Sequence, residues 1–371
     1  MNIMMVVNDT TFTYNLRREV LDQLIRDGHK VTLMCQVLSF RDELEQMGVR
    51  IIDVQNNRRG TNPFADVKLF LTYFSHLRKE RPDVILGNNI KPNAYAGLAC
   101  RILKIRRICN ITGLGTAVEQ PGLLQKLTVL LYKTGTWKAD CILFQNTENQ
   151  KFFQEHKMLS PKSRTVLLPG SGVNLNAHPT YTYPSDETIN FLFIARILKE
   201  KGIDLYLAAA KEIRKRYPKA KFHICGKCDD EAYMDVLNEA AAAGDVIYHG
   251  EQKNMEHYFE MTHCVVHPSY YPEGMSNVLL EAAASGRPVV ATDRSGCREP
   301  VDDGVSGFVI PIKDEKALIG ALERFIQMPW EAKRDMGLAG RRKMENEFDR
   351  NIVVKTVVEE IQKCVNPSVV I

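Results

Sequence analysis

Four side chains in the second half of the sequence have the types and spacing to do chemistry together. Arg196 and Lys201, in RILKEKG, stand five residues apart where an apolar run, Ile189 to Ala195, gives way to a helical stretch from Gly202. Two cations in a turn between strand and helix can both reach a diphosphate laid over the helix N-terminus, whose free N–H groups already attract anions. Glu273 and Glu281, in PEGMSNVLLEAAAS, have the spacing E-x7-E; Glu281 falls about one turn inside a helix, beside Leu279, Leu280, Ala282 and Ala283. A carboxylate in that apolar company calls for hydroxyl donors such as a ribose diol, each hydrogen bond contributing about 1.5–3 kcal/mol. Gly274 lets backbone approach a ligand, and Ser276 or Asn277 can cap the helix. The plain alternatives are a solvated basic loop and a dipole-favoured glutamate. They account for each feature singly and not for the four together.

Such residues need a frame, and the sequence supplies a βαβ rhythm. In the first half, short β-rich runs (Asn2 to Val7, Lys30 to Cys35, Val49 to Val54, Asp83 to Leu86, Arg107 to Ile111, Cys141 to Phe144) alternate with amphipathic stretches. The latter are Tyr14 to Arg26, Phe64 to Glu80, Pro92 to Leu103, Leu123 to Lys138 and Thr147 to His156. Continuous apolar runs between helices belong to parallel sheets covered on both faces. After Val166 to Leu168 comes a Gly/Pro-rich polar stretch, PGSG to PSDET, followed by a second βαβ series. We therefore expect an α/β protein of two doubly wound, Rossmann-like domains, 1–178 and 179–349, with a last helical segment, 350–371, that could cross back to the first. Ligands of such sheets lie at the carboxyl ends of the strands, where the four residues fall.

Composition narrows the function. The chain of 371 residues is 44% hydrophobic and 25% charged, which excludes disorder, collagen and coiled coil and leaves room for two cores. Its nine cysteines are scattered through apolar runs, as in a reduced cytoplasmic protein. The N-terminus MNIMMVVNDTTF opens a strand with no leader pattern, and no run reaches the roughly 18 apolar residues of a membrane span. Residues 1–178 carry 24 Lys plus Arg against 15 Asp plus Glu, whereas 179–371 carry 25 against 30. The basic half invites an anionic ligand or membrane surface; with no zinc finger, RNP-like or basic-zipper motif beside it, nucleic acid is not expected. Cys225 and Cys228 form a lone C-x-x-C with no second pair and no His ligand spacing, so no metal site is assigned.

The second half resembles the retaining nucleotide-sugar glycosyltransferases of family 4, which have the GT-B fold of two domains facing a cleft. The likeness rests on R-x4-K-G, on E-x7-E in PEGMSNVLLEAAASGRPVVAT, and on SGCREPVDDGVSGFVI. It implies that Arg196 and Lys201 neutralise the donor diphosphate and are catalytic. Glu273, also catalytic, holds the donor sugar with the backbone of Gly274, Met275, Ser276 and Asn277; Glu281 holds the ribose, and the nucleobase lies near Gly226, Lys227 and the His249 to Lys253 loop. It implies no cofactor beyond the substrate UDP-sugar and no metal.

In the first half, GNNIKPNAYAGLA places Lys91 and Asn93 after a strand, and NITGLG places Thr112 and Gly113 in a strand-to-helix loop. A lysine at a helix start opposes the dipole and is misplaced unless something negative binds. These segments are similar to those of the N-acetylgalactosaminyltransferases that extend undecaprenyl-diphosphate-linked sugars, which implies a lipid-diphosphate acceptor at Lys91, Asn93, Thr112 and Gly113. The glycine-rich turn and the histidine many members carry are here Asn8 to Thr11 and absent, respectively. Between Arg101 and Lys138 lie seven basic residues and one acidic, and GLLQKLTVLLYKTGTW reads either as an interfacial helix or as a core helix with a solvated face. The expected activity is a metal-independent, retaining transfer from a UDP-sugar, with N-acetylhexosamine as its sugar, in bacterial glycan assembly. The expected location is cytoplasmic, peripheral on the inner face of the plasma membrane. A GT-B epimerase would instead convert the nucleotide sugar without an acceptor, and a non-catalytic binding subunit would not hydrolyse it.

Overall fold

The computed structural model describes residues 1–56 and 62–366 and divides into two compact units, Met1–Ser171 with Arg350–Ile371, and Gly172–Asp349. The first unit runs β1 (Asn2–Asp9), α1 (Thr10–Arg26), β2 (Lys30–Gln36), α2 (Arg41–Gln46), β3 (Arg50–Asp53), α3 (Pro63–Glu80) and β4 (Val84–Asn88). It continues through a π-turn (Pro92–Ala96), α4 (Gly97–Leu103), β5 (Arg106–Ile111), α5 (Leu123–Thr136), β6 (Cys141–Phe144), α6 (Thr147–Glu155) and β7 (Arg164–Leu167). Its parallel sheet has the order β3-β2-β1-β4-β5-β6-β7. Residues alternate across it: Ile3, Met5 and Val7 pack under α1, and Met4 and Val6 pack against α3 and α4.

The second unit runs β8 (Ile189–Ile194), α7 (Ile203–Arg216), β9 (Ala220–Cys225), α8 (Glu231–Ala242), β10 (Ile247–Tyr248), α9 (Glu256–Met261) and β11 (Cys264–His267). Then follow α10 (Asn277–Ala284), β12 (Val289–Thr292), β13 (Gly307–Ile310), α11 (Glu315–Gln327) and α12 (Trp330–Lys343). Its sheet has the order β10-β9-β8-β11-β12-β13, all parallel. Phe191, Phe193, Phe222 and Ile224 face Tyr206 and Ile213 of α7, while Leu192, Val265 and Ala291 face Leu279 and Ala282 of α10. In both sheets the strand order reverses beside the first strand, at β1/β4 and at β8/β11. Those reversals are where α/β sheets open a crevice.

The last helix, α13 (Arg350–Val365), belongs to the first unit. It buries Val353, Val357 and Ile361 in the core under α1, and Arg350 bonds the Asn15 carbonyl at 3.0 Å while Arg164 reaches Glu360 at 2.9 Å. The units divide at Ser171/Gly172, earlier than the 178/179 expected from composition. The polar stretch belongs to the second unit because Val173 donates to the Phe348 carbonyl at 2.8 Å and packs with Met275 and Leu280.

Candidate active site

The β8/β11 reversal gathers the motifs. The loop after β8 tightens into a single 3₁₀ turn, Lys199–Lys201, and Gly202 turns it into α7 at φ +80°. A Cβ at Gly202 would lie 2.2 Å from the Pro268 carbonyl oxygen, so only glycine lets this loop press against the one after β11. Tyr270 N–H donates to the Glu200 carbonyl at 2.9 Å and completes the contact. Gly226, after β9, adjoins the same place: its N–H donates to the Gly250 carbonyl at 2.8 Å and its carbonyl accepts from the Tyr248 hydroxyl at 2.9 Å.

Here Lys201 Nζ pairs with Glu273 Oε1, both largely buried, and the ammonium lies 4.9 Å from the centre of the Tyr271 ring. The two residues expected to serve different parts of a ligand thus hold one another. Arg196 is exposed and makes no hydrogen bond or ion pair among the described residues. Glu281 is half-buried within α10.

Gly274, Met275 and Ser276 are buried and lead into α10, but the N-cap residue, Ser276, makes no side-chain capping bond. The Ser276 hydroxyl faces His267 Nε2 at 3.2 Å instead of the helix N–H groups, contrary to the capping role read from sequence. Asn277 does not cap it either, and its buried Oδ1 has no hydrogen-bond partner. The N-terminus of α10 therefore keeps its positive partial charge for a ligand. Burial, and then the nearby Lys201 cation, push His267 down to about 3, so it is neutral at physiological pH.

Sequence reasoning missed what holds this loop in place. Gly296, at φ +88°, accepts the Ser276 N–H on its carbonyl at 2.7 Å, and a Cβ there would sit 3.0 Å from the Glu273 Cβ. Glu299 clamps that turn, accepting from the Ser295 hydroxyl at 2.9 Å and the Gly296 N–H at 2.6 Å. The available signal was a serine and a glutamate four apart around a glycine in SGCRE.

The first unit's reversal is built from amides. Asn89 accepts from the Asn8 N–H at 3.2 Å and donates to Thr112 Oγ1 at 3.2 Å, while Asn88 Oδ1 accepts from Arg17 at 3.2 Å and Asn110 at 3.0 Å. Asn93, expected to touch the acceptor, is 1% exposed and donates to the Asn110 carbonyl at 2.8 Å, which makes it part of the frame. Lys91 meets its anion inside the protein: its Nζ lies 2.8 Å from Asp66 of α3. Thr112 and Gly113 remain half-exposed, the Gly113 carbonyl taking the Tyr132 hydroxyl at 3.1 Å. In α5 the inward residues are Thr128, Tyr132, Gly135 and Thr136, which pack on the core, while four leucines of the other face are exposed, Leu123 at 85% and Leu127 at 50% among them.

All nine cysteines are free thiols, Cys225 and Cys228 included. Among the described residues no cluster of three His, Cys, Asp or Glu could hold a metal ion, and no helix is long and apolar enough to cross a membrane.

Comparison with known proteins follows the same division. Residues 182–343 match the family model described as glycosyl transferases group 1, and residues 2–146 match glycosyl transferase 4-like. The chain is 24% identical, over 92% of its length and 93% of the relative's, to N,N'-diacetylbacillosaminyl-diphospho-undecaprenol alpha-1,3-N-acetylgalactosaminyltransferase of Campylobacter jejuni. A glycosyltransferase from Rickettsia africae ESF-5 superposes with a TM-score of 0.81 at 17% identity, over 99% of both chains. Anabaena Alr3699/HepE, solved with UDP and glucose, superposes at 0.79 with 16% identity, over 98% of this chain and 100% of that one.

Proposed function

The chain belongs to the group 1 glycosyl transferases and has the GT-B fold, and from that premise we propose the reaction it carries out. An N-acetylhexosamine passes from a UDP-sugar, held by the second unit, to a lipid-diphosphate-linked or polysaccharide acceptor, held by the first, in bacterial glycan assembly. The observation that carries this is the Lys201–Glu273 pair at the β8/β11 reversal, its lysine in the same strand-to-helix loop as the exposed Arg196. A cation and a carboxylate at one spot suit a substrate with phosphate at one end and hydroxyls at the other. The C. jejuni relative, matched over nearly its whole length, is named for an undecaprenyl-diphosphate-linked acceptor and supports that choice of acceptor class.

The transition state needs charge stabilisation above all. As the C1–O bond to the β-phosphate breaks, the phosphate gains negative charge, which Arg196, Lys201 and the N–H groups at the start of α10 can stabilise without a metal ion. Glu273, released from Lys201, accepts hydrogen bonds from the donor sugar, and Glu281 does so from the ribose. The incoming acceptor hydroxyl forms the new C1–O bond on the face the phosphate leaves. Its proton goes to the departing phosphate oxygen, and configuration is retained.

Thermal shift against a panel of nucleotides tests the donor: UDP at 100 times its Kd should add about 2.7 kcal/mol of stability. Product analysis with a lipid-diphosphate acceptor then tests the transfer. No response to any nucleoside diphosphate would sink the reading. The outward leucines of α5, with Lys126 and Lys133 among them, support a peripheral site on the inner face of the plasma membrane. The protein should sediment with anionic liposomes at low salt, and failure to do so would remove the membrane from the proposal.

A further inference from the structure

The first unit carries a groove of 840 Å³ that the motifs did not reveal, between the ends of β2 and β3 and the first turns of α3. Gln36, Gln55 and Asn56 supply amides to its lining, Asp66 and Lys91 an ion pair, and Val54 and Leu69 an apolar patch. The volume lies in the range of small-ligand sites. Asn56 is 5% exposed and donates to Asn8 Oδ1 at 3.1 Å, yet its own Oδ1 accepts nothing. A buried acceptor left unsatisfied is destabilising, and a ligand donor would satisfy it. From Asn56 the hydrogen bonds continue through Asn8 and Asn89 to Thr112, joining the groove to the carboxyl ends of β1, β4 and β5.

We infer that this groove seats a neutral sugar ring of the acceptor glycan, an inference that rests on the transferase reading above. Sugar hydroxyls donate and accept at once, as amides do, and a carboxylate takes the donors left over. Val54 and Leu69 form the buried floor, and exposed Ala65 offers apolar surface to the C–H face of a ring. Asp66 already neutralises Lys91, so the pair presents no net charge to the groove. The acceptor chemistry therefore shifts from lipid phosphate to hydroxyl recognition: the substrate is a lipid already bearing sugar.

The test fills the groove from the outer side of α3, leaving the buried network alone. Ala65→Trp and Thr72→Trp should each raise the KM for a sugar-bearing lipid acceptor at least tenfold. Acceptor-independent hydrolysis of the UDP-sugar should stay at the wild-type rate. In saturation-transfer NMR, methyl glycosides of neutral mono- and disaccharides, including N,N'-diacetylchitobiose, should contact the wild type and lose that contact in Ala65→Trp. Inorganic diphosphate should behave alike in both proteins. Unchanged acceptor KM in both variants, or diphosphate binding that the tryptophan abolishes, overturns the inference while leaving the transferase reading intact. Absence of any UDP-sugar hydrolysis in the wild type would instead strike the reading itself.

Discussion

The two units share a strand order up to the sixth strand, and each reverses it beside its first strand, but they furnish the two reversals with opposite chemistry. At β8/β11 stand Arg196, Lys201 and Glu273 beside an uncapped helix; at β1/β4 stand Asn8, Asn88 and Asn89, hydrogen-bonded to one another's strands and to Thr112. A sheet that opens a crevice leaves its lining free to change. Charge suits a crevice that must stabilise a leaving diphosphate, and amides suit one that must recognise hydroxyls without adding charge of their own.

The largest effect should come from the charged reversal. Lys201→Ala, or Arg196→Ala, should lower turnover on the order of 10² to 10³-fold, the scale of losing one charge-stabilising donor. Steady-state kinetics with saturating donor would show it, and near-normal turnover would remove that residue from catalysis. The amide reversal should respond differently. Asn93→Ala removes the partner of a buried carbonyl and should cost about 1–3 kcal/mol in urea melts. Donor hydrolysis by the folded fraction should be unaffected; a specific loss of hydrolysis would erase the contrast between the units.

Glu299 sharpens the contrast within the second unit. It is a positioning residue, and Glu299→Ala should lower kcat about tenfold, Glu299→Gln less, because one amide oxygen can still accept from the turn. A change confined to melting temperature, with kcat intact, would make Glu299 merely structural.

A different handle is pH. His267 is pushed down to about 3 and His223 to about 4, both chiefly by burial, from an ordinary 6.5. As pH falls below 6.5 the unfolded chain takes protons that the folded state refuses, so stability falls, by at most about 1.4 kcal/mol per pH unit per group. Urea melts at pH 7 and pH 5 should show this loss, and His267→Gln should reduce it. An equal loss in the variant would mean that His267 does not stay neutral.

The second unit's signals are local: Arg196 to Gly202 and Glu273 to Glu281 each sit in one loop and one helix start, and the fold pairs Lys201 of the first with Glu273 of the second. The first unit's network crosses three strands, and nothing local to Lys91 says that Asp66, on α3, will meet it. Ser276 had the right type and place for a cap, and only the tertiary approach of His267 diverts its hydroxyl. The βαβ rhythm survives because apolar runs and amphipathic stretches are long. Helices α2 and α9, six residues each, are too short to show a period. The return of α13 was legible as a helix, but its partner α1 lies at the other end of the chain.

The distribution of sulfur has a practical consequence. Eight of the nine thiols are buried, and burial pushes Cys109 up to about 11 and Cys225 to about 12; Cys228, half-exposed in the loop after β9, is the exception. Since the thiolate is the reactive form, alkylating dyes should choose that one position in the native protein. A fluorophore placed there would stand two residues from Gly226, where the donor is proposed to bind, and would serve as an optical gauge of occupancy that needs no cysteine to be engineered out.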